Sequence, residues 1–187
     1  MHKLLHAEIL RERLTNQEAL SSQRHPVSLM LSNVRSMYNV GSFFRTVDSA
    51  LAHSLILTGF TPHPPRDEIK KTALGAVDSV PWSYYKNEIE AAKDLKQAGI
   101  KLIALEITDK KRQYDSLRFE EFPLCIVVGN EIKGISDELL KECDDAIEIP
   151  MYGVKHSLNV SVAGAIALFE AVKIWRNFEQ NKNKLKA

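Results

Sequence analysis

The sequence predicts an α/β domain with a mostly parallel sheet flanked by helices. Three observations carry that reading. Short apolar runs alternate with segments of helical period along most of the chain. The richest run, Leu124 to Val128, is continuously apolar, as expected of a strand buried on both faces. Polar segments rich in Gly and Asn follow several of the runs, where open α/β proteins place their ligands.

The elements follow in chain order. Residues 1–22 carry leucines at 4, 5, 10, 14 and 20 among charges, which predicts a loosely amphipathic helix packed on the body. His25-Pro26 ends it, so residues 1–24 are a helical extension and residues 25–187 the main domain with a basic tail. Val27 to Leu31 reads as a short buried strand. Asn39 to Ala52 reads as a helix with Val40, Phe43, Phe44, Val47 and Leu51 inward. Leu55 to Leu57 is the next strand, and the three prolines between Gly59 and Arg66 mark a loop. Asn87 to Ala98 is a helix ended by Gly99, and Leu102 to Leu105 a strand. Ser136-Asp137-Glu138 starts a short helix. Ala146 to Ile149 is the last strand, stopped by Pro150. Ser157 to about Asn177 is the last helix, with Leu158, Val162, Ile166, Phe169 and Val172 expected as its core stripe. Gly164, Ala167 and Ala171 form a second stripe, small enough for another helix of the domain or of a second subunit to approach.

Composition narrows the function. The 187 residues suffice for one domain with a proper core. A net charge of +1 excludes a simple polycation that binds nucleic acid, though not an enzyme with a local basic patch. Two cysteines, Cys125 and Cys143, without CxxC exclude a disulfide scaffold and a zinc finger and suit a reducing cytoplasm. No apolar run reaches membrane-spanning length, and Lys3, Glu8, Arg11 and Glu12 do not suit a signal peptide. No metal-ligand spacing and no HExxH occurs, so no metal is expected.

Three polar clusters are the candidate site. In the first, Asn33 and Arg35 lead to Asn39, Gly41 and Arg45, between a strand end and the first turns of a helix. The bland reading is a cap at Asn39 with solvated arginines. The functional one is convergence on a phosphate or ribose. The second is Gly129-Asn130-Glu131-Ile132-Lys133-Gly134, directly after the most apolar strand. Its glycines have P-loop separation, but Ile135-Ser136 stands where Lys-Ser/Thr must follow, which excludes a nucleoside triphosphate site. The third is Ser157-Leu158-Asn159 at the predicted start of the last helix. Capping accounts for one of its two polar residues.

Together and in this order, the clusters resemble the SpoU (TrmH) family of RNA ribose 2′-O-methyltransferases, within the SPOUT superfamily. The family's Asn-x-Gly-x-x-x-Arg core matches Asn39, Gly41 and Arg45. Its Gly-Asn-Glu-x-x-Gly matches Gly129 to Gly134, with Ile132 where many members have Gly. Its Ile-Pro-Met and Ser-Leu-Asn-Val-Ser-Val-Ala match Ile149–Met151 and Ser157–Ala163. Lys71 to Ala76 also resembles the family's stretch between the first two motifs. Residues 26–175 are covered. Many relatives carry a separate RNA-binding domain; here only the N-terminal extension is expected.

The resemblance implies a C-terminal trefoil knot, which general folding rules would exclude by default. It also implies S-adenosylmethionine held by the knot loops at Leu105, Gly129, Gly134, Ile149 and Leu158, and a homodimer with its sites at the interface. Arg45, Asn39, Glu131, Ser157 and Asn159 would be catalytic. Asn33, Arg35 and Lys71 would meet the RNA, a tRNA or rRNA. A guanidinium stays protonated at ordinary pH, so Arg45 is better suited to stabilise a developing alkoxide than to act as a base. Two other readings share the residues: a non-catalytic RNA-binding protein on the same fold, and an RNA base methyltransferase.

Overall fold

The computed structural model describes residues 1–11 and 13–184. Its elements in chain order are α1 (His6–Arg11), α2 (Asn16–Ser21), β1 (Val27–Ser32), α3 (Met37–Ser49), β2 (Leu55–Thr58), α4 (Asp67–Ala73), β3 (Trp82–Tyr85), α5 (Glu88–Gln97), β4 (Lys101–Leu105), β5 (Leu124–Val128), α6 (Asp137–Glu142), β6 (Asp145–Ile147) and α7 (Val160–Lys184).

The strands form one sheet in the order β3-β2-β1-β5-β4-β6. All five pairings are parallel. β1 and β5 lie at the centre and are buried on both faces, because strand side chains alternate and helices cover each side. Leu29, Leu31, Leu57 and Ile126 pack with Phe43 and Phe44 of α3, Ile69 of α4 and Leu168 of α7. Met30, Ile56 and Val127 pack with Ala91 and Ala92 of α5 and Leu139 of α6. All parallel strands end at one edge, and the loops after β1, β4, β5 and β6 meet there.

Several expectations change. The single N-terminal helix is two short ones. Thr15 and Glu18 form a capping box that starts α2 afresh, and neither piece is long enough to bury an apolar stripe. Leu4, Leu5, Leu10, Leu14 and Leu20 are consequently exposed. Helix α4 and edge strand β3 were not foreseen. α4 follows the proline loop without a side-chain cap, and the outward residues of β3 leave little alternation to read. Strand β6 ends at Ile147, before Ile149. Helix α3 begins two residues before Asn39 and is capped by Ser36, whose Oγ accepts the Asn39 N–H at 3.3 Å. Ser136 caps α6 as expected, accepting the Leu139 N–H at 3.2 Å.

The last helix differs most. It starts at Val160, not Ser157, and runs to Lys184, beyond the expected end near Asn177. Lys186 of the basic tail lies outside the described residues. Its buried face is also shifted. Ala167, Leu168 and Ala171 are buried together with Val172 of the expected stripe, while Val162 and Phe169 are 47 % and 48 % exposed. The cause is Gly164, where an added Cβ would lie 2.4 Å from Cε1 of the buried Phe43. The small residues let α7 press onto α3 and the sheet, so that stripe serves the domain itself.

An ion-pair cluster fixes the crossing from β4 to β5 against β6. Arg112 donates to Glu121 and Asp145, both at 2.7 Å. The Glu121 bond, against the opposing effect of burial, raises the guanidinium above its ordinary value. Both thiols are pushed up by burial, Cys143 to about 12. They are poor nucleophiles at neutral pH.

Candidate functional site

The three polar clusters interlock around one carboxylate. The loop after β5 carries Glu131 to the start of α3. There its carboxylate accepts the Arg35 N–H at 2.9 Å, the Ser36 N–H at 3.1 Å and the Asn39 side-chain amide at 3.0 Å. Asn39 can do this because Ser36 has taken over the capping role. Asn39 Oδ1 in turn accepts from Asn159 Nδ2 at 3.2 Å, which brings in the third cluster. Partial burial pushes the Glu131 carboxyl up, but the surrounding N–H donors outweigh it and hold it below the ordinary carboxylate value. A negative charge near the N-terminus of α3 also suits the helix dipole.

The glycine-bounded loop is shaped by its own polar residues. Asn130 Oδ1 accepts the Ile132 and Lys133 N–H groups at 3.0 Å, and its Nδ2 donates to the Asn33 carbonyl at 2.8 Å. Gly134 has φ +67°, and a Cβ there would sit 2.3 Å from a Glu106 oxygen. Glycine is required for both reasons. The same Glu106 oxygen accepts the Ile135 N–H at 3.0 Å. Ile132, at the position where the resemblance leads one to expect Gly, is exposed and outside this packing. Asn130 belongs to the second cluster, where no role of its own was assigned to it; Glu106 was not foreseen as a site residue, since it carries no spacing signal, only its place after a strand.

These loops enclose a cavity of about 520 Å³ at the carboxyl edge of the sheet. Leu105, Gly129, Gly134, Ile149 and Leu158, all expected around a cofactor, line it together with Glu131, Ser157 and Asn159. Its size and mixed polar and apolar lining lie within the range of sites for compact cofactors. Asn159 is the cap of α7, its Oδ1 accepting the Ser161 N–H at 2.9 Å. Ser157 is exposed in the loop before the helix, so the expectation that both begin the helix holds only for Asn159.

The remaining expected residues lie elsewhere. Asn33 is not free for a ligand: its Oδ1 accepts the Phe60 N–H at 3.2 Å and its Nδ2 donates to Glu88 at 2.6 Å. Arg35 contributes its backbone to Glu131, and its side chain is exposed. Arg45 and Lys71 line a different groove, of about 500 Å³, among Ser42, Thr72, Leu74 and Phe169. Among the described residues neither is in an ion pair. Arg45 is thus near Asn39 along the chain, but Asn39 turns to Glu131 and Asn159 while Arg45 lines a separate groove.

Fold and site together describe an open, all-parallel α/β protein with a cavity at the carboxyl ends of its strands. The chain belongs to the SpoU rRNA Methylase family, whose sequence model matches residues 26–169. A 23S rRNA (guanosine-2′-O-)-methyltransferase of Ralstonia nicotianae is 33% identical over 149 residues, covering 79% of this chain and 59% of that one. A tRNA (guanosine(18)-2′-O)-methyltransferase of Thermus thermophilus is 32% identical over 158 residues, covering 83% and 78%. Among solved structures, the AdoMet-bound rRNA methyltransferase of Sinorhizobium meliloti superposes with a TM-score of 0.74 at 28% identity, over 86% of this chain and 61% of that one. The TrmH/SpoU tRNA modifying enzyme of A. aeolicus gives 0.78 at 25% identity, over 92% and 85%. The chain spans about three fifths of the length of several relatives that it matches. Among the described residues no helix is long and apolar enough to cross a membrane.

Proposed function

We propose that this chain transfers a methyl group from S-adenosylmethionine to a ribose 2′-hydroxyl of a structured tRNA or rRNA, in the cytoplasm and as a homodimer. Residues 25–187 would be the catalytic unit and 1–24 an appended helical segment. We further infer that the loops after β5 and β6 are threaded into the trefoil knot of the family. The observation that carries the reading is the Glu131 junction, which ties the three family motifs to the rim of one cavity.

The cofactor would supply an electrophilic methyl group on a sulfonium. Leu105, Gly129, Gly134, Ile149 and Leu158 would hold it. The protein then has to place an oxygen nucleophile in line, and positioning of that kind removes much of the barrier. Glu131, Asn39 and Asn159 fix the rim against which the ribose would lie. Ser157, exposed beside the cavity, would contact the ribose or the cofactor. Arg45 would stabilise the charge that develops on the oxygen as its proton leaves.

The position of Arg45 supports the dimer. It is six residues beyond Asn39, about 9 Å further along the helix at 1.5 Å per residue. We place it opposite the cavity of a second copy. The exposed Val162 and Phe169, with Leu74, supply an apolar surface for that contact. Lys71, in the same groove, would neutralise an RNA phosphate, and the exposed Arg35 would border the RNA path, with Asn33 shaping the backbone beside it.

Calorimetry with S-adenosylmethionine, followed by mass spectrometry of nucleosides from RNA incubated with enzyme and cofactor, tests the reading. A single binding event per chain and a new 2′-O-methylnucleoside are expected. Absence of binding at millimolar cofactor would favour the non-catalytic RNA-binding reading. A methylated base in place of a ribose would move the chain to a base-modifying branch.

A further inference from the structure

Glu88 lies outside every motif, at the first turn of α5 on the opposite face of the sheet from α3. Yet its half-buried carboxylate reaches the carboxyl edge and receives three donors from two separate loops. Ser32 Oγ and Asn33 Nδ2, the latter at 2.6 Å, donate to one oxygen. Ser136 Oγ donates to the other at 2.5 Å. Ser32 and Asn33 end β1 and open the segment that leads to Asn39. Ser136 closes the glycine-bounded loop after β5 and caps α6.

The contacts continue in one direction. Asn33 is held at φ +56°, a backbone conformation that costs energy for any residue but glycine unless it is well pinned. Its amide is pinned at both ends, by Phe60 N–H and by Glu88. Its carbonyl is then aimed at Asn130 Nδ2, and Asn130 in turn shapes the residues around Glu131. Removing Glu88 would free Asn33 on one side and Ser136 on the other.

We propose that Glu88 is a positioning residue of the site: by bridging Asn33 and Ser136 it clasps the loop after β1 to the loop after β5, and so sets the orientation of Asn130 and Glu131. What matters is the span of the side chain more than its charge. A glutamine has the same reach and can keep an oxygen on Asn33 while its amide donates to the Ser136 hydroxyl, which can act as acceptor. An aspartate keeps the charge but is one methylene too short to serve both loops.

The test compares Glu88→Asp and Glu88→Gln by amide hydrogen exchange and by cofactor-saturated methyl transfer. In Glu88→Asp, exchange at Arg35, Ser36, Ile132 and Lys133 should quicken by about tenfold, the loss expected from one charge-assisted bond. Exchange in β1 and β5 should stay as in the wild type. Glu88→Gln should remain close to the wild type at all of these amides. The exchange arm does not depend on the reaction assigned above. The transfer arm rests on that reading and should show a fall in turnover for Glu88→Asp with little change in cofactor affinity. Wild-type protection of the four loop amides in Glu88→Asp would overturn the proposal. So would an increase no larger there than in the strands, since that is a loss of global stability and not of a clasp.

Discussion

Helix α3 has two flanks that hold charge in opposite ways. On one, Glu131 is gripped by two backbone N–H groups and by Asn39, and the junction extends to Asn159 on α7. On the other, Arg45 stands beside Lys71 in an open groove with no ion-pair partner among the described residues. The first flank is complete within one chain. The second presents unneutralised cations and apolar side chains, which is what a surface awaiting an anion or another chain looks like. The contrast separates a junction where polar groups satisfy each other from a groove whose two cations have no ion pair among the described residues.

The largest expected effect breaks the open flank. Arg45→Ala should lower single-turnover methyl transfer by about 10²–10³, the loss typical of one donor that stabilises a developing oxyanion. Cofactor affinity measured by calorimetry should barely change, because Arg45 lies outside the 520 Å³ cavity. A near wild-type rate would remove Arg45 from the chemistry and leave its groove as a contact surface alone.

A middle-sized effect loosens the closed flank from below. Gly164→Ala replaces a helix-weakening residue with the best helix former, which on propensity alone should stabilise α7. Here the new methyl would meet the fully buried ring of Phe43 at 2.4 Å. Overpacking of this kind costs about 1–3 kcal/mol and should dominate. Urea denaturation would show a lower midpoint at unchanged slope. A raised midpoint would mean that α7 shifts freely on α3, and that Asn159 is not held to Asn39 by the packing beneath it.

The smallest effect sharpens the comparison through pH. The Glu131 carboxyl is depressed in the folded state, so its ionised form adds stability that is present above the ordinary carboxylate value. That stability is lost as the pH falls through the lowered folded value. Wild type should exceed Glu131→Gln in stability at neutral pH, and the difference should close on acidification through the carboxylate range. A gap that stays constant to low pH would show that the donors around Glu131 do not favour its charged form.

Much of this was legible beforehand, for identifiable reasons. The central strands are buried on both faces and mostly apolar, so Val27 to Leu31 and Leu124 to Val128 announce themselves without any partner in view. Ser136 before Asp137-Glu138 is a local capping signal, and it acts locally. The polar loops could be placed at strand ends because chain order alone puts them there. Edge strand β3 was not legible, since its residues point largely into solvent and leave no period to read. On α7 hydrophobicity is a guide to burial at Val172 but not at Val162 and Phe169. Close packing of Gly164 on Phe43 turns the small residues Ala167 and Ala171 inward instead.

By itself, then, the sequence determined the α/β class, the strands at the heart of the sheet, the three polar clusters and, through their order, the family. These depend on residue type and on spacing over a turn or a loop. Only the tertiary structure decided that Ser36 and not Asn39 caps α3, that Glu131 joins all three clusters, that Arg45 faces a separate groove, and that Glu88 reaches the site from the far side of the sheet. Each of these is a contact between residues far apart in sequence, 92 positions for Glu131 with Asn39 and 55 for Glu88 with Asn33. Such contacts arise from how helices and strands are laid against one another, and neither periodicity nor capping rules act over that range.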